Sequence, residues 1–511
     1  MNRCQQVRNH PAGNAVVSLI LPEIAQMSND LKQTVYSEIQ RAAAPLAANL
    51  NMPAMVALDE TFLGDFPWFW QNGTNFNALT FNWLNRLLAY NEDGYVGTDG
   101  TALTTALFNV LNATSYVLDA QDAAALNQAI LANATTVTTL ITDWATSQGP
   151  IPSSYTNQAQ QLTYISGQVL SWGPAGLTLQ QLRTSLNPTA LLSPPLGGDQ
   201  VANDLITYLA NTSSVANIQS AVLSFNNELR QVVANISPQP PLTAVKPGFM
   251  TTVDDKGVTS IVVAMDIAEK VAQIQNNLLP ASGTGKSFSA SFNVQKQSSN
   301  TVQVSAEGGA AGVGDLLFFL EFAGEGGSSY NMFSADSSLS ECDITLTFNG
   351  VTTVSPTFTA YDITSGQGWW FPEPITEAVN GSSDQSGYRF APRPTYDFGV
   401  NGTFGAIGRL MIAQQPVMTL TYTTANYQDF QETFQQESAW GITFLGIPIA
   451  EGSQSYYHAT TDFNSQTNTV TVTMTPVGTT APVASTDQLA SVVGVQMIWP
   501  GASAAQNRAA L

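Results

Sequence analysis

Cationic side chains are what this chain has least of: 16 Lys and Arg stand against 37 Asp and Glu. None occurs between Arg86 and Arg183, between Lys296 and Arg389, or between Arg409 and Arg508. Ionised residues of both signs make up 10% of the chain, where about a quarter is ordinary, so its surface must be built from Asn, Gln, Ser and Thr. The formal net charge of −21 opposes nucleic acid and polybasic lipid anchoring, because both need clustered Lys and Arg to displace counterions. Insertion into lipid through apolar and aromatic side chains escapes that objection.

Cysteine and histidine are nearly absent as well. Cys4 and Cys342 allow at most one bridge, so neither a disulfide scaffold nor a thiolate metal site is supported. With His10 and His458 alone, a catalytic triad or a multi-histidine metal site has almost nothing to be built from. His458, in SYYHAT, reads as a sheet residue. No catalytic residue, metal ligand set or cofactor is expected. No stretch approaches the ~20 apolar residues of a membrane-spanning helix. The N-terminal apolar run stops at Pro22-Glu23 without a small-residue cleavage site. The expected location is extracellular or particle-associated, without a recognisable signal peptide, so that any export uses a route the sequence does not display. The scattered Asn-x-Ser/Thr triplets follow from the composition.

Apolar material is plentiful, at 44% of 511 residues, enough for two or three domains. Residues 1–237 read as a helical domain with a polar N-terminal leader. Leu103, Ala106, Leu107, Val110, Leu111, Val117 and Leu118 recur at helical spacing, as do Val137, Leu140, Ile141 and Trp144. Proline-containing breaks at 149–153, 173–176, 187–188 and 194–198 separate segments of ordinary helix length. Four prolines in 237–248 mark a linker, taken as 238–257. One amphipathic helix is expected within 258–285, using Ile261, Met265, Ala268, Val271, Ala272 and Leu278.

From residue 286 to 500 the period changes to two. Phe288, Ala290, Phe292 and Val294 alternate with Ser289, Ser291 and Asn293, and Val302, Val304 and Ala306 continue the pattern beyond the QSSN turn. That is a hairpin by pattern. A second hairpin is expected at Asn349-Gly350, after Cys342, Ile344, Leu346 and Phe348. The whole is an α+β multidomain chain: an N-terminal all-helical domain followed by a C-terminal antiparallel β-sandwich or barrel-like domain, with 501–511 a flexible tail.

Motif-like stretches fail on inspection. PASGTGKS, 280–287, has Pro280 where a phosphate-binding loop has its first glycine, and it precedes a strand pattern. GGAAGVG, 308–314, lacks the final glycine of a dinucleotide fingerprint. The acidic pairs Asp59-Glu60, Glu92-Asp93 and Asp254-Asp255 read as turns and caps. Two aromatic clusters remain: Phe62, Phe66, Trp68, Phe69 and Trp70, and then Trp369, Trp370 and Phe371 beside two prolines. Core filling is the plain account of such residues. The second cluster is the better candidate for an aromatic anchor at a membrane interface or a sugar-stacking platform.

Three functions fit this reading. The leading expectation is a non-enzymatic, membrane-active, pore-forming toxin-like protein. Its hairpin at Phe288, Phe292, Val294, Val302 and Val304 is close to the ~9 residues that cross a bilayer obliquely. The alternative is a self-assembling structural subunit of a coat, filament or surface layer, since amide and hydroxyl surfaces lose less on desolvation than ionised ones. The third is a carboxylate-dependent carbohydrate hydrolase or a carbohydrate-binding protein. Membrane lipid or a cell-surface glycan, and further copies of the chain, are the expected partners; nucleic acid is not.

Overall fold

A computed structural model describes residues 14–58, 66–70, 75–91, 94–237, 245–253, 257–278, 285–299, 301–315, 320–324, 329–330, 339–424, 440–444, 447–448, 457–476 and 487–502. Helices and antiparallel strands are mixed throughout, an α+β chain. Eleven α-helices lie among the described residues: α1 (Asn14–Asn49), α2 (Ala78–Leu84), α3 (Leu103–Asn112), α4 (Ala120–Ala132), α5 (Ala134–Ser147), α6 (Gln158–Leu170), α7 (Leu179–Thr184), α8 (Gly198–Asn211), α9 (Ala216–Ile236), α10 (Val271–Leu278) and α11 (Glu373–Asn380).

Three cores organise them. The first lies between α1 and an eleven-stranded antiparallel sheet. Its main path runs Ala311–Asp315, Thr301–Ala306, Phe288–Lys296, Glu341–Phe348, Val417–Thr423, Thr469–Pro476, Tyr457–Asn464, Trp440–Phe444, Leu320–Gly324 and Ser329–Tyr330. Period-two alternation gives that sheet one apolar face. Phe292 stands opposite Ile344, Ile344 opposite Leu420, and Leu420 opposite Val472, and all four are buried. Against that face α1 turns Leu31, Val35, Ile39, Ala43 and Ala47, spaced by four so that they share one side of the helix.

Glu38 fastens the helix to the sheet. It is buried, accepts from Arg41 Nε at 2.8 Å and Arg41 Nη2 at 2.6 Å, and takes the Gly308 backbone N–H at 3.0 Å. On the outer face Ser289 pairs with Thr347 at 2.9 Å and Ser291 with Thr345 at 3.3 Å, and farther along Asn293 donates to Glu341 at 2.6 Å and Asp343 at 2.8 Å. Cross-strand hydroxyl pairs of this kind stabilise a sheet without charge.

The second core gathers α2, α3, the C-terminal half of α9, α10 and a four-stranded sheet ordered Phe66–Trp70, Asp487–Ile498, Ala406–Ala413 and Thr352–Val354. The third is helical: α4 to α8 bury Leu126, Val137, Leu140, Trp144, Ile165 and Val201 around the N-terminal half of α9. One 21-residue helix, α9, thus contributes Leu223 to the third core and Leu229, Val232 and Ile236 to the second.

Several expectations shift against this arrangement. Residues 1–237 are not uniformly helical: Thr114–Val117, whose Val117 was assigned to a helix, is a strand paired with Gly387–Phe390. The stretch 258–279 is helical only from Val271. Thr259–Val263 pairs with Phe249–Val253, inside the expected linker, and Met265–Ile267 pairs with Pro356–Phe358. The β-branched run Ile261-Val262-Val263 favours strand over helix. Asn349-Gly350 turns the chain but closes no hairpin. Glu341–Phe348 pairs with Phe288–Lys296 and Val417–Thr423, and the chain leaves for the four-stranded sheet. Gly350, at φ +64°, lies so close to the Leu278 backbone that a Cβ would collide with it. The expected pairing of Phe288–Lys296 with Thr301–Ala306 is present, Val294 opposite Val304.

Two outcomes follow. Phe292→Ala lowers the stability read from urea unfolding by about 3–5 kcal/mol; a change below about 1 kcal/mol would mean that Phe292 does not help to hold the core. Between α5 and α8, burial and then the nearby Asp143 push the Asp204 carboxyl upward, and its Oδ2 has no hydrogen-bond partner. A raised folded-state pKa contributes stability below the unfolded value and loses it as pH rises through the raised one. Asp204→Asn therefore raises Tm at pH 7, and its advantage narrows toward pH 4; an equal or lower Tm at pH 7 contradicts the unfavourable pair.

Candidate functional site

Asn235, buried near the end of α9, donates Nδ2 to the carbonyls of Gly366 at 2.9 Å and Gly368 at 2.7 Å. Those two bonds hold the loop that carries the tryptophan pair. The start of the loop is folded on Asp362. Its carboxylate accepts from Ser365 Oγ at 2.6 Å and the Thr364 N–H at 3.0 Å. The Ser365 hydroxyl, then the Thr364 amide, hold that carboxyl below its ordinary range. Gly368 sits at φ +83° with the Ala360 carbonyl where a Cβ would be, so no other residue fits there without strain.

Beyond Gly368 the two indoles part. Trp369 is buried in the second core, its Nε1 donating to the Ala264 carbonyl at 2.6 Å. Trp370 is half-buried; its backbone N–H bonds Thr359 at 3.0 Å, and its ring lies 4.9 Å from Phe358 and 5.7 Å from Trp369. Phe371 packs on Tyr361 at 5.3 Å. Trp370 is thus a supported aromatic surface, open on one side.

Around it runs a groove in two parts, both of which include Trp370 and Ile498. One part, about 700 Å³, is walled by Glu373 and Glu377 of α11 and by Trp499 and Pro500. The other, about 480 Å³, is lined by Asn51, Phe358, Arg409 and Gln496. Prolines at 372 and 374 start α11 where a missing N–H costs nothing. Thr376 Oγ1 bonds the Pro500 carbonyl at 2.8 Å and Asn380 Nδ2 bonds the Gly501 carbonyl at 3.1 Å, tying α11 to the chain beyond Asp487–Ile498. Glu373 and Glu377 are one helical turn apart and share a wall. Glu377 lies against Gly387, where any Cβ would displace it.

At the opposite end Arg409 is held in place. Its Nη1 donates to the carbonyls of Leu50 at 3.1 Å and Asn51 at 2.8 Å, and its Nε to Ser355 Oγ at 3.0 Å. Ser355 in turn donates Oγ and N–H to Glu269 at 2.8 and 2.7 Å. The groove therefore offers carboxylates at one end, an aromatic face at the centre, and amide and guanidinium groups at the other.

Of the residues singled out from the sequence, Trp370 lies in this groove, while Trp369 and Phe371 support it. The hairpin residues lie elsewhere: Phe292, Val294, Val302 and Val304 are buried in the first core, and Phe288 stacks on Phe348 at 4.9 Å. Phe62 falls outside the described residues, and Phe66–Trp70 is a strand of the four-stranded sheet. Glu377, Arg409, Gln496 and Trp499 were not singled out. Glu373 and Glu377 carried a legible signal, two carboxylates at helical spacing just after the tryptophans, whereas Arg409 and Trp499 join only through tertiary folding. No group of three or more His, Cys, Asp or Glu among the described residues could hold a metal ion. No family model, curated protein or solved structure matches the chain.

The two tryptophans should separate by mutation. Trp369→Phe removes one of the two hydrogen bonds to the Ala264 carbonyl, the Thr359 N–H at 3.2 Å remaining, leaves a void in the core, and costs about 1–3 kcal/mol in denaturant unfolding, whereas Trp370→Phe changes stability by less than about 1 kcal/mol. Equal losses would mean that both indoles serve the core alike.

Proposed function

We propose that this protein is a non-enzymatic carbohydrate-binding protein whose groove takes a neutral oligosaccharide across Trp370. The half-buried indole, open on one side and flanked at both ends by polar groups, carries the reading. A sugar ring presents an apolar C–H face to an aromatic surface and hydroxyls around its edge. Glu373 and Glu377 would accept from hydroxyls at one end, and the exposed Asn51 would exchange hydrogen bonds at the other. Glycoside hydrolysis needs two carboxyl groups on either side of the scissile bond. Two carboxylates projecting from one face of α11 bind a sugar from a single side, so recognition fits better than cleavage.

Membrane insertion of the hairpin would first require α1 to leave the apolar face it covers, while sugar binding needs no rearrangement. Assembly into a coat or filament is compatible with the same neutral surface and with a glycan-binding role on a particle or outside the cell. We read the β portion as sandwich-like, supported by Met411, Ala413 and Val493 of the four-stranded sheet, which join the core of the eleven-stranded one.

Calorimetric titration with a panel of neutral oligosaccharides tests the proposal. Binding by the native chain weakens about tenfold in Trp370→Ala, weakens by a smaller factor in Glu377→Gln, and leaves the sugar uncleaved on chromatography. Absence of binding across the panel, or affinity indifferent to Trp370, would sink it.

A further inference from the structure

A second and larger cleft, about 1360 Å³, opens where the third core meets the second, between α4, α6, α9 and the strand Thr114–Val117. Its floor is apolar: Leu111, Leu126, Ile130 and Leu229 are buried there. Two apolar side chains on its border remain in water, Leu131 at 70% exposure and Val117 at 44%. Asn157, Gln158 and Gln160 edge it with neutral amides.

Among the cleft's lining residues one is charged, Arg230 of α9. Its guanidinium carbon lies 5.4 Å from the ring centroid of Tyr155, and its Nη1 reaches Asn227 Oδ1 at 3.4 Å. No acidic side chain among the described residues makes an ion pair with it. Arg183 and Arg409 likewise bond no carboxylate, but they hold carbonyls and neutral side chains at 2.8–3.1 Å, whereas the one hydrogen bond of Arg230 among the described residues is the long one to Asn227. The nearest acid in sequence, Glu228, is bonded to Ser224 at 3.1 Å and acts on Tyr361 and Tyr388, neither of which lines the cleft. Glu377, then Asp122 and Asp119, act on Tyr116, on the strand side of the cleft.

From this lone guanidinium above an apolar floor we infer that the cleft binds an amphiphilic monocarboxylate, a free long-chain fatty acid, its carboxylate on Arg230 and its chain over Leu126, Ile130 and Leu131. Arg presents paired N–H donors that match a carboxylate, and the Tyr155 ring leaves the guanidinium edge available. The alkyl chain would cover the two exposed apolar side chains, which gives the affinity. The site shares no lining residue with the Trp370 groove, so it stands or falls independently of the carbohydrate reading.

Titration of the full chain with cis-parinarate, followed by displacement with oleate, tests the assignment. Saturable binding at one site is expected, reversed by oleate, about tenfold weaker in Arg230→Gln, and about tenfold weaker when methyl oleate replaces oleate against the native chain. Methyl oleate itself should not distinguish native from Arg230→Gln. Circular dichroism of the variant should match the native chain, with at most a small loss of Tm, since Arg230 makes a long contact with Asn227 and a stacking contact with Tyr155. A second variant, Leu131→Asn, should weaken parinarate binding by removing apolar surface while leaving the fold intact. No saturable binding, or equal affinity in Arg230→Gln, overturns the assignment. So does association with phosphatidylcholine vesicles in place of displacement by free oleate.

Discussion

The two hydrogen bonds from the Asn235 amide to Gly366 and Gly368 are the point on which the functional geometry depends. Without them the tight approach of Gly368 to Ala360 has nothing to hold it on the helix side, and that approach sets one indole inward and the next outward. A buried amide left without these carbonyls would also be costly. The same helix carries Leu223 into the helical core, Leu229 and Val232 into the central one, and Arg230 into the large cleft. The loop that carries Trp370 is thus bonded to the same helix that enters the helical core.

Scarcity of charge shapes the rest. Where Glu and Lys would ordinarily pair along helices, this chain uses amides and hydroxyls. The N-termini of α6 and α7 are closed by capping boxes of Asn157 with Gln160 and Thr178 with Gln181, Gln taking the place of Glu. Buried Gln219 bonds Tyr208 at 2.8 Å and accepts from Arg183 at 2.9 Å, a neutral residue serving a cation inside the helical core. Burial, the larger effect, lifts the Tyr208 hydroxyl to about 12. The few cations are consequently specific in what they do: Arg41 pairs with Glu38, Arg409 holds the carbonyls just beyond α1, and Arg230 lies over the Tyr155 ring with a long contact to Asn227.

The strands from 286 onward were legible because one face is buried and the other wet, which prints a period of two directly into the chain. Helices α3 and α5 were legible for the corresponding reason at their own period. Residues 259–267 misled because Ile261, Met265 and Ala268 happen to fall at helical spacing, while pairing with Phe249–Val253 and Pro356–Phe358 decides the outcome. A domain boundary at 237 was drawn from prolines, yet α1 packs into the β portion and α9 spans two cores. Of the site, the sequence disclosed the tryptophan stretch but not which indole faces outward, since that rests on Gly368 and on an Asn more than a hundred residues away. Arg409 and Trp499 reach the groove only through the four-stranded sheet and its last strand, and no local pattern foretells that.

Hydrogen–deuterium exchange of the full chain with and without a bound neutral oligosaccharide would test the central claim most directly. The account predicts slowed exchange in peptides covering 366–377 and 496–500, where Trp370, α11 and Trp499 meet, with the hairpin 288–306 unchanged. Protection confined to other segments, or a bound sugar that alters exchange nowhere near Trp370, would contradict it.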